Sequence, residues 1–134
     1  MMNISKASKA AGLAVKTVRY YADIGLVAAV QRSDSGYRLY DQTALRKLIF
    51  VRRARSFGFS IHACRELLGL YQDTDRTSAD VKRIAKARLA EIEQKQRELQ
   101  SLQNELSHLV QACKGDHRPD CPILDYLAWQ LCRQ

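Results

Sequence analysis

Two cysteines near the C-terminus are the residues of this sequence best suited to chemistry. Cys113 and Cys121 stand at the two ends of a seven-residue polar loop in the segment ACKGDHRPDCPI. In a reducing compartment such a pair indicates metal binding or redox activity rather than a structural disulfide. Because thiolates are soft ligands, the pair favours soft ions such as Cu(I) over hard ions. A redox switch through a Cys113–Cys121 disulfide is the alternative.

The charge of the chain is concentrated far from these cysteines. The chain has 134 residues and a formal net charge of +8 at pH 7. Residues 1–60 carry eleven Lys and Arg against three Asp, whereas residues 61–134 carry eleven basic and eleven acidic residues. A basic module of this kind predicts a nucleic-acid partner. No apolar run is long enough to span a bilayer and no signal peptide is evident, so we expect a cytoplasmic protein with no membrane partner.

The first forty residues are patterned as two helices and a hairpin. Small and apolar residues recur at helical spacing on both sides of Gly12, and the second helix ends near Gly25. The turn formers at residues 33–36 separate Val30 from the alternating segment 37–40, which predicts a short hairpin. Together they predict a winged helix-turn-helix, in which the second helix meets the major groove.

Three further helices are expected before the cysteine loop. Asp41 and Ser60 are placed to cap two of them. The second of these helices has one apolar face formed by Ile61, Cys64, Leu67, Leu68 and Tyr71, and Cys64 is interpreted as a core residue. From the capping-box spacing at Thr77 up to Cys113 there is no Gly or Pro, which predicts one long helix. Its seam positions are Ala85, Ile92, Leu99, Leu106 and Cys113, alternating with Val81, Arg88, Lys95, Leu102 and Leu109.

This heptad stripe implies a partner helix, because one long helix cannot bury it within so small a chain. A second subunit is the simplest source of that partner, and folding back over the N-terminal half is the alternative. The final segment begins with Pro122 at a favoured first helical position and is amphipathic. The fold class is therefore mainly α, with three segments: a winged helix-turn-helix domain with connecting helices (1–72), a dimerisation helix (73–112), and a metal-binding loop with a short helix (113–134).

Three motifs resemble those of the MerR family of transcription regulators. They are AAGLAVKTVRYYADIGLV in the helix-turn-helix, RSDSGYRLYD in the wing and RRARSFGFS after it. Within that family, RTSADVK together with CKGDHRPDCPI resembles the copper-efflux regulators of the CueR or HmrR type. The resemblance covers nearly the whole chain, through about residue 127.

The resemblance implies both an assembly and a mechanism. Its fold is a winged helix-turn-helix joined to an antiparallel dimerisation coiled coil. Its homodimer sits on promoter DNA whose spacer is too long for RNA polymerase, and the metal-bound form bends and untwists that DNA into a usable shape. Such control acts through DNA deformability rather than base contacts alone. The expected outcome is activation of copper efflux and detoxification genes.

The residues expected to contact DNA lie on the second helix, on the wing and just beyond them. A recognition helix presents its start and exposed face to base edges and phosphates, and the wing resembles the family's backbone contacts. The predicted contacts are Val15, Lys16, Thr17, Arg19 and Tyr20 on the helix, Arg32, Tyr37 and Arg38 on the wing, and Arg55 after it.

Ser78 is the expected determinant of metal selectivity. In the family, sensors of divalent ions place a third cysteine at this position, brought in from the other subunit. A hydroxyl there leaves only Cys113 and Cys121 as ligands, which suits a monovalent ion: Cu(I), and also Ag(I) or Au(I). His117 and His108 are left out of the ligand set, and Cys132 is interpreted as a tail thiol.

Other functional classes lack their signatures in this sequence. No paired carboxylates, nucleophile–base set or phosphate-cradling glycine loop is present, so no enzyme is expected. Four clustered cysteines, the requirement of an iron–sulfur sensor, are absent, because the four in this chain are widely spaced. A drug-responsive regulator would need a large C-terminal domain, and only about 20 residues follow the long helix.

Overall fold

Helices α1 (Ile4–Ala11) and α2 (Val15–Asp23) form the helix-turn-helix that the sequence predicts. Gly12 turns the chain between them with a left-handed φ of 74°. A side chain there would also be crowded, since a Cβ would lie 2.9 Å from Nη1 of Arg52. The computed structural model describes residues 1–116, 119 and 121–132, and its fold is mainly helical, as expected.

The wing belongs to a three-stranded antiparallel sheet rather than to a simple hairpin. Strands β2 (Gln31–Arg32) and β3 (Arg38–Tyr40) form the predicted hairpin, with Arg32 opposite Arg38. Strand β1 (Met2–Asn3) pairs with the other edge of β3 and gives the order β1-β3-β2. Strand β1 was not predicted from the sequence, because a two-residue strand is too short to show alternation.

Two capped helices, α3 (Gln42–Ser56) and α4 (Ile61–Gln72), complete the core. The Asp41 carboxylate accepts the Ala44 N–H at 2.8 Å, and the Ser60 hydroxyl oxygen accepts the Ala63 N–H at 3.0 Å. Cys64 is fully buried, as expected of a core residue, and burial raises the pKa of its thiol. The largest fully buried side chains of this core are Tyr40, Leu48, Val18, Val27, Val51, Cys64 and Ser8.

Tyr71 departs from the predicted core face of α4. The sequence pattern placed it with Cys64 on one apolar stripe, yet more than half of Tyr71 is exposed. Its ring instead packs against Phe50 of α3, with ring centroids 5.0 Å apart. It lies in the last turn of α4, where the core no longer covers that stripe.

Helix α5 (Ser78–Ala112) has 35 residues and is the long helix that the sequence predicts. The Thr77 hydroxyl caps its start, accepting the Asp80 N–H at 3.4 Å and donating to the Asp80 carboxylate at 3.1 Å. Ile84 is buried although it lies off the predicted seam. Seam residues Leu99, Leu102 and Leu106 are 64%, 59% and 55% exposed.

The chain forms two compact units, Met1–Arg88 and Leu89–Gln134. In the second unit, α6 (Pro122–Cys132) begins at Pro122 as expected, and the Tyr126 hydroxyl donates a hydrogen bond to the Glu105 carboxylate. None of the described helices combines the length and apolarity that a bilayer crossing requires.

Candidate functional site

The exposed face of α2 carries three of the five residues predicted to contact DNA there. Lys16, Arg19 and Tyr20 are exposed, because Val18 and Tyr21 turn the opposite face of the helix into the core. Val15 and Thr17, the other two predicted contacts, are half-buried at the start of the helix. The helix therefore presents two cations and a phenol to the solvent.

The tip of the wing is closed by its own side chains. Nη1 of Arg32 donates to the Gly36 carbonyl at 2.9 Å, and the Ser33 hydroxyl oxygen accepts the Tyr37 N–H at 3.1 Å. The Tyr37 side chain is 71% exposed. Arg32 thus stabilises the turn that presents Tyr37, besides being a predicted contact itself.

Arg38 ties the wing to α2. Its Nη2 forms an ion pair with Asp23 Oδ1 at 2.8 Å, and its Nη1 lies 3.5 Å from the Arg19 carbonyl oxygen. The sequence pattern indicated only a DNA contact for Arg38 and did not reveal this tie, which depends on a residue fifteen positions away. The ion pair gives Arg38 a structural role in addition to the predicted one.

A groove of about 680 Å³ lies where α2, the wing and the start of α1 meet. It brings together three of the predicted contacts whose charge is positive, Arg19, Arg32 and Arg38, with Tyr37 on its wall. A cationic groove between a recognition helix and a wing is suited to a phosphate backbone.

Arg55 lies elsewhere, at the end of α3. Its Nη1 donates to the Phe59 carbonyl at 2.6 Å, across the turn between α3 and α4. Burial raises the pKa of the nearby Tyr21 hydroxyl, and the charge of Arg55 together with a hydrogen bond from it opposes that rise only in part. Arg55 is not among the residues that line the groove.

Arg65 of α4 holds the end of α2, a contact that was not predicted from the sequence. Its Nη2 and Nη1 donate to the carbonyls of Ile24 and Gly25 at 2.9 and 3.1 Å. The last turn of α2 contains no basic residue of its own. The last carbonyls of a helix need donors and favour cations. The absence of a basic residue from the last turn of α2 was the only indication in the sequence that another element would supply a donor. It did not indicate which arginine would do so.

The two loop cysteines lie next to helix ends: Cys113 directly follows α5, and Cys121 directly precedes α6. The Cys113 N–H continues the α5 hydrogen-bond ladder to the Leu109 carbonyl at 3.1 Å, and the Cys121 carbonyl accepts the Asp125 N–H of α6 at 2.9 Å. Both thiols are free and half-buried. Two soft sulfur donors at the ends of one loop fit a thiophilic ion. His117 and the Cys132 side chain lie outside the described residues.

Ser78 is the exposed first residue of α5 and lines a shallow hollow of about 760 Å³ with Val81, Lys82 and Ala85. Because Cys113 directly follows the last residue of the same helix, Ser78 and Cys113 belong to its opposite ends. Within the part of the chain that the structure describes, no group of three or more His, Cys, Asp or Glu side chains is placed to hold a metal ion.

Comparison with known proteins gives matches over nearly the whole chain. The family model for MerR HTH family regulatory proteins matches residues 2–70, and a second, described as MerR, DNA binding, matches residues 45–109. The HTH-type transcriptional regulator HmrR of Rhizobium leguminosarum is 54% identical over 127 residues, covering 95% of this chain and 98% of its own. The HTH-type transcriptional regulator CueR of Escherichia coli O6:H1 is 46% identical over 127 residues, covering 95% and 94%.

Among solved structures, the transcription regulator PbrR691 of Ralstonia metallidurans CH34, in complex with lead(II), aligns with a TM-score of 0.83. It is 34% identical, and the alignment covers 95% of this chain and 99% of that one. These matches confirm the resemblance seen in the sequence, down to the HmrR and CueR type. The chain belongs to the MerR family of DNA-binding transcription regulators.

Proposed function

We propose that this protein is a cytoplasmic transcription activator that senses Cu(I), and also Ag(I) or Au(I), and switches on copper efflux and detoxification genes. One observation carries the proposal: the free, half-buried thiols of Cys113, just after α5, and Cys121, just before α6, stand at the two ends of one loop. The long helix begins with the hydroxyl of Ser78 instead of a third thiol. The similarity to HmrR and CueR supports it.

The number and charge of the ligands favour a monovalent ion. Tetrahedral zinc needs four ligands, whereas this loop offers the two sulfurs of Cys113 and Cys121. Two thiolates around a +1 ion leave a net charge of −1, and the start of α6 beside Cys121 favours an anion. A divalent ion would prefer a third thiolate, which Ser78 does not provide.

A second copy of the chain is the proposed partner of α5. Leu99, Leu102 and Leu106 are each more than half exposed on one stripe, and apolar stripes of this length are buried in coiled coils. In an antiparallel pair the start of one helix lies beside the end of the other. That arrangement would bring Ser78 of one copy to the cysteine loop of its partner.

Each copy is proposed to dock its α2 and wing on one half of a promoter. Lys16, Arg19 and Tyr20 would meet base edges and phosphates, and Tyr37 would meet the backbone beside the wing. Val15 and Thr17 would contact DNA from the start of α2, and Arg32, Arg38 and Arg55 would add positive charge. Arg38 would also keep the wing aligned with α2 through Asp23.

Activation is proposed to act through the shape of the DNA. Binding of the ion by Cys113 and Cys121 would favour the dimer conformation that bends and untwists a promoter with an over-long spacer, so that RNA polymerase can use it. Smooth bending of such sites costs on the order of 1–6 kcal/mol. Metal–thiolate bonds supply energies of at least that size, so two sulfurs are enough to bias the dimer.

The first test removes the two thiols. Cys113→Ser with Cys121→Ser is expected to abolish Cu(I)-induced transcription in a purified system while promoter affinity stays within about twofold, because the DNA-contacting residues are untouched. Cys132→Ser is the matched control and is expected to respond fully. A double variant that still activates with Cu(I) would refute the proposal. Activation of the wild type by peroxide without metal would favour the disulfide switch instead.

The second test adds a thiol. Ser78→Cys is expected to give a response to divalent ions such as lead(II) or zinc(II), because a third thiolate adds a soft ligand and gives a +2 ion the same net charge of −1 that two thiolates give a +1 ion. The control Ser101→Cys places the same thiol in the middle of α5 and should change nothing. X-ray absorption of the wild type with Cu(I) should detect two sulfur neighbours, and three or more would rule out the role given to Ser78.

A further inference from the structure

One arginine near the start of the long helix donates a hydrogen bond to the backbone of the DNA-binding domain. Arg88, in the third turn of α5, reaches the turn between α3 and α4, where its Nε–H donates to the Phe57 carbonyl at 2.9 Å. Phe57 is the C-terminal cap of α3, where the carbonyls of the last turn lack helical partners. The guanidinium therefore caps α3 from another helix, inside the compact unit Met1–Arg88.

The guanidinium of Arg88 packs directly on Gly58, in the space that a side chain at this position would fill. We call Gly58 the seat of Arg88. A Cβ on Gly58 would lie 2.1 Å from Nη2 of Arg88 and 2.7 Å from its Cζ, closer than non-bonded atoms can approach. The backbone of Gly58 also has a φ of 81°, which favours glycine. Any side chain at this position would thus displace Arg88 as well as strain the turn.

The same turn is held from α3 itself. Arg55 binds the Phe59 carbonyl at 2.6 Å, so the carbonyls on either side of Gly58 are bound by two arginines from different helices. Such charge-assisted hydrogen bonds are stronger and more directional than neutral ones. The turn is therefore a rigid attachment point for the beginning of α5.

The same hydrogen bond also accounts for a break in the heptad pattern. Arg88 occupies a seam position of α5, where a coiled coil requires an apolar side chain. The arginine is used within the chain, so this seam position serves attachment to the DNA-binding domain. Apolar residues return to the seam at Ile92 and Leu99, with Lys95 at the seam position between them.

We propose that Arg88, seated on Gly58, is a positioning residue that fixes the orientation of the winged helix-turn-helix on the start of α5. Neither residue touches DNA in this role. The inference rests on the proposed dimer: two domains held at one orientation reach two half-sites at a fixed spacing, whereas two loosely attached domains would forfeit part of the affinity gained from the second half-site.

The test compares promoter duplexes that contain one half-site or two. For each protein, we define the gain as the dissociation constant for the one-half-site duplex divided by that for the two-half-site duplex. Fluorescence anisotropy at fixed salt measures both constants. Arg88→Gln is expected to lower the gain about tenfold, the effect of removing one charge-assisted hydrogen bond at each attachment, and to leave one-half-site affinity within about twofold. Arg83→Gln is the matched control, because the ion pair between Arg83 and Glu66 spans 3.8 Å between exposed groups.

A double-mutant cycle tests the seat. Gly58→Ala should lower the gain like Arg88→Gln, since its Cβ displaces the guanidinium. Adding Gly58→Ala to Arg88→Gln should reduce the gain little further, because the guanidinium is already absent and only backbone strain remains. Additive reductions in gain would overturn the assignment of Gly58 as the seat of Arg88.

The outcomes separate this inference from the proposed function. A wild-type protein that gains nothing from a second half-site would disprove the dimer, and the inference with it. A wild-type gain that Arg88→Gln leaves intact would disprove the positioning role alone. Equally weakened binding to one and two half-sites would also disprove it, since that result would show that Arg88 merely keeps the domain folded.

Discussion

The unit Met1–Arg88 and the unit Leu89–Gln134 differ in where their apolar side chains go. Every side chain that is buried among the described residues lies at or before Ile84, in the first unit. In the second unit, Leu99, Leu102 and Leu106 are mostly exposed. A core such as that of the first unit stabilises a fold within one chain, whereas the apolar stripe of the second is stabilising only against another surface.

Their polar contacts differ in the same way. In the first unit, Arg38, Arg65 and Arg88 bind groups on elements 15 to 41 residues away. In the second, most polar pairs among the described residues join positions three or four apart on α5, as between Gln100 and Asn104. The bond from Tyr126 to Glu105 joins α6 to α5. Local helix pairs contribute only a few tenths of a kcal/mol each. The first unit is thus fixed by tertiary contacts and the second mainly by helix geometry.

The largest expected effect comes from placing a charge on the exposed stripe. Leu102→Asp should raise the dissociation constant of the proposed dimer about a thousandfold, because two leucines, each worth roughly 2 kcal/mol of burial, are replaced by carboxylates. Sedimentation equilibrium over a range of concentrations measures this directly.

Ser101→Asp is the control for that charge. It adds the same carboxylate one residue earlier, on the outer face of α5, and should leave the association unchanged. If both variants associate like the wild type, the stripe is not the dimer surface and the contrast between the two units loses its meaning. If both weaken association equally, general charge repulsion is the cause.

A core truncation in the first unit should have the next largest effect. Leu48→Ala removes a fully buried side chain of α3 and should lower the free energy of unfolding by about 2–5 kcal/mol. Arg46→Ala, on the same helix, removes a side chain outside that core and should change the free energy of unfolding by less than about 0.5 kcal/mol. Urea unfolding followed by circular dichroism measures both, and equal effects would contradict the core assigned to this unit.

The parts of the fold that depend on neighbouring residues could be predicted from the sequence. The caps Asp41, Ser60 and Thr77, the turn at Gly12 and the length of α5 all follow from local preferences, and each is present in the structure. The parts that depend on which distant groups meet could not. Strand β1 is an example, because only its pairing with β3 makes these two residues a strand.

The candidate site follows the same division. The type and order of its residues were visible in the sequence, and Lys16, Arg19 and Tyr37 are exposed. Their contacts with DNA stay predictions. The second roles of Arg38 and Arg88 were not visible, because an arginine that binds a distant carbonyl looks the same in a sequence as one that faces solvent. The metal selectivity assigned to Ser78 stays a prediction.

A smaller effect is expected when α2 loses its cap from α4. Arg65→Ala should weaken promoter binding roughly fivefold, the equivalent of about 1 kcal/mol for hydrogen bonds at an exposed site. Because Arg65 is bonded to Ile24 and Gly25, we expect the salt dependence of binding to stay the same. Arg19→Ala is the matched comparison: if Arg19 binds phosphate as proposed, its removal should reduce the salt slope by about one. A reduced slope for Arg65→Ala would make it a direct DNA contact.

The smallest effect at neutral pH is expected for a buried phenol in the first unit. Tyr40 is fully buried, and its hydroxyl has no hydrogen-bond partner in the described part of the protein, so Tyr40→Phe should change stability at pH 7 by less than about 1 kcal/mol. Burial raises the pKa of Tyr40 above its ordinary value of 10, and Arg38 opposes that rise only in part. Above pH 10 the unfolded chain therefore loses a proton that the folded protein keeps, and stability falls as the pH rises.

Urea unfolding at pH 7 and pH 10.5 should show a smaller alkaline loss of stability for Tyr40→Phe than for the wild type. Tyr37→Phe, on the exposed wing, should follow the wild type. An unchanged alkaline loss in Tyr40→Phe would place the titrating group elsewhere in the core, with Tyr21 and Cys64, whose pKa values burial also raises, as the remaining sources.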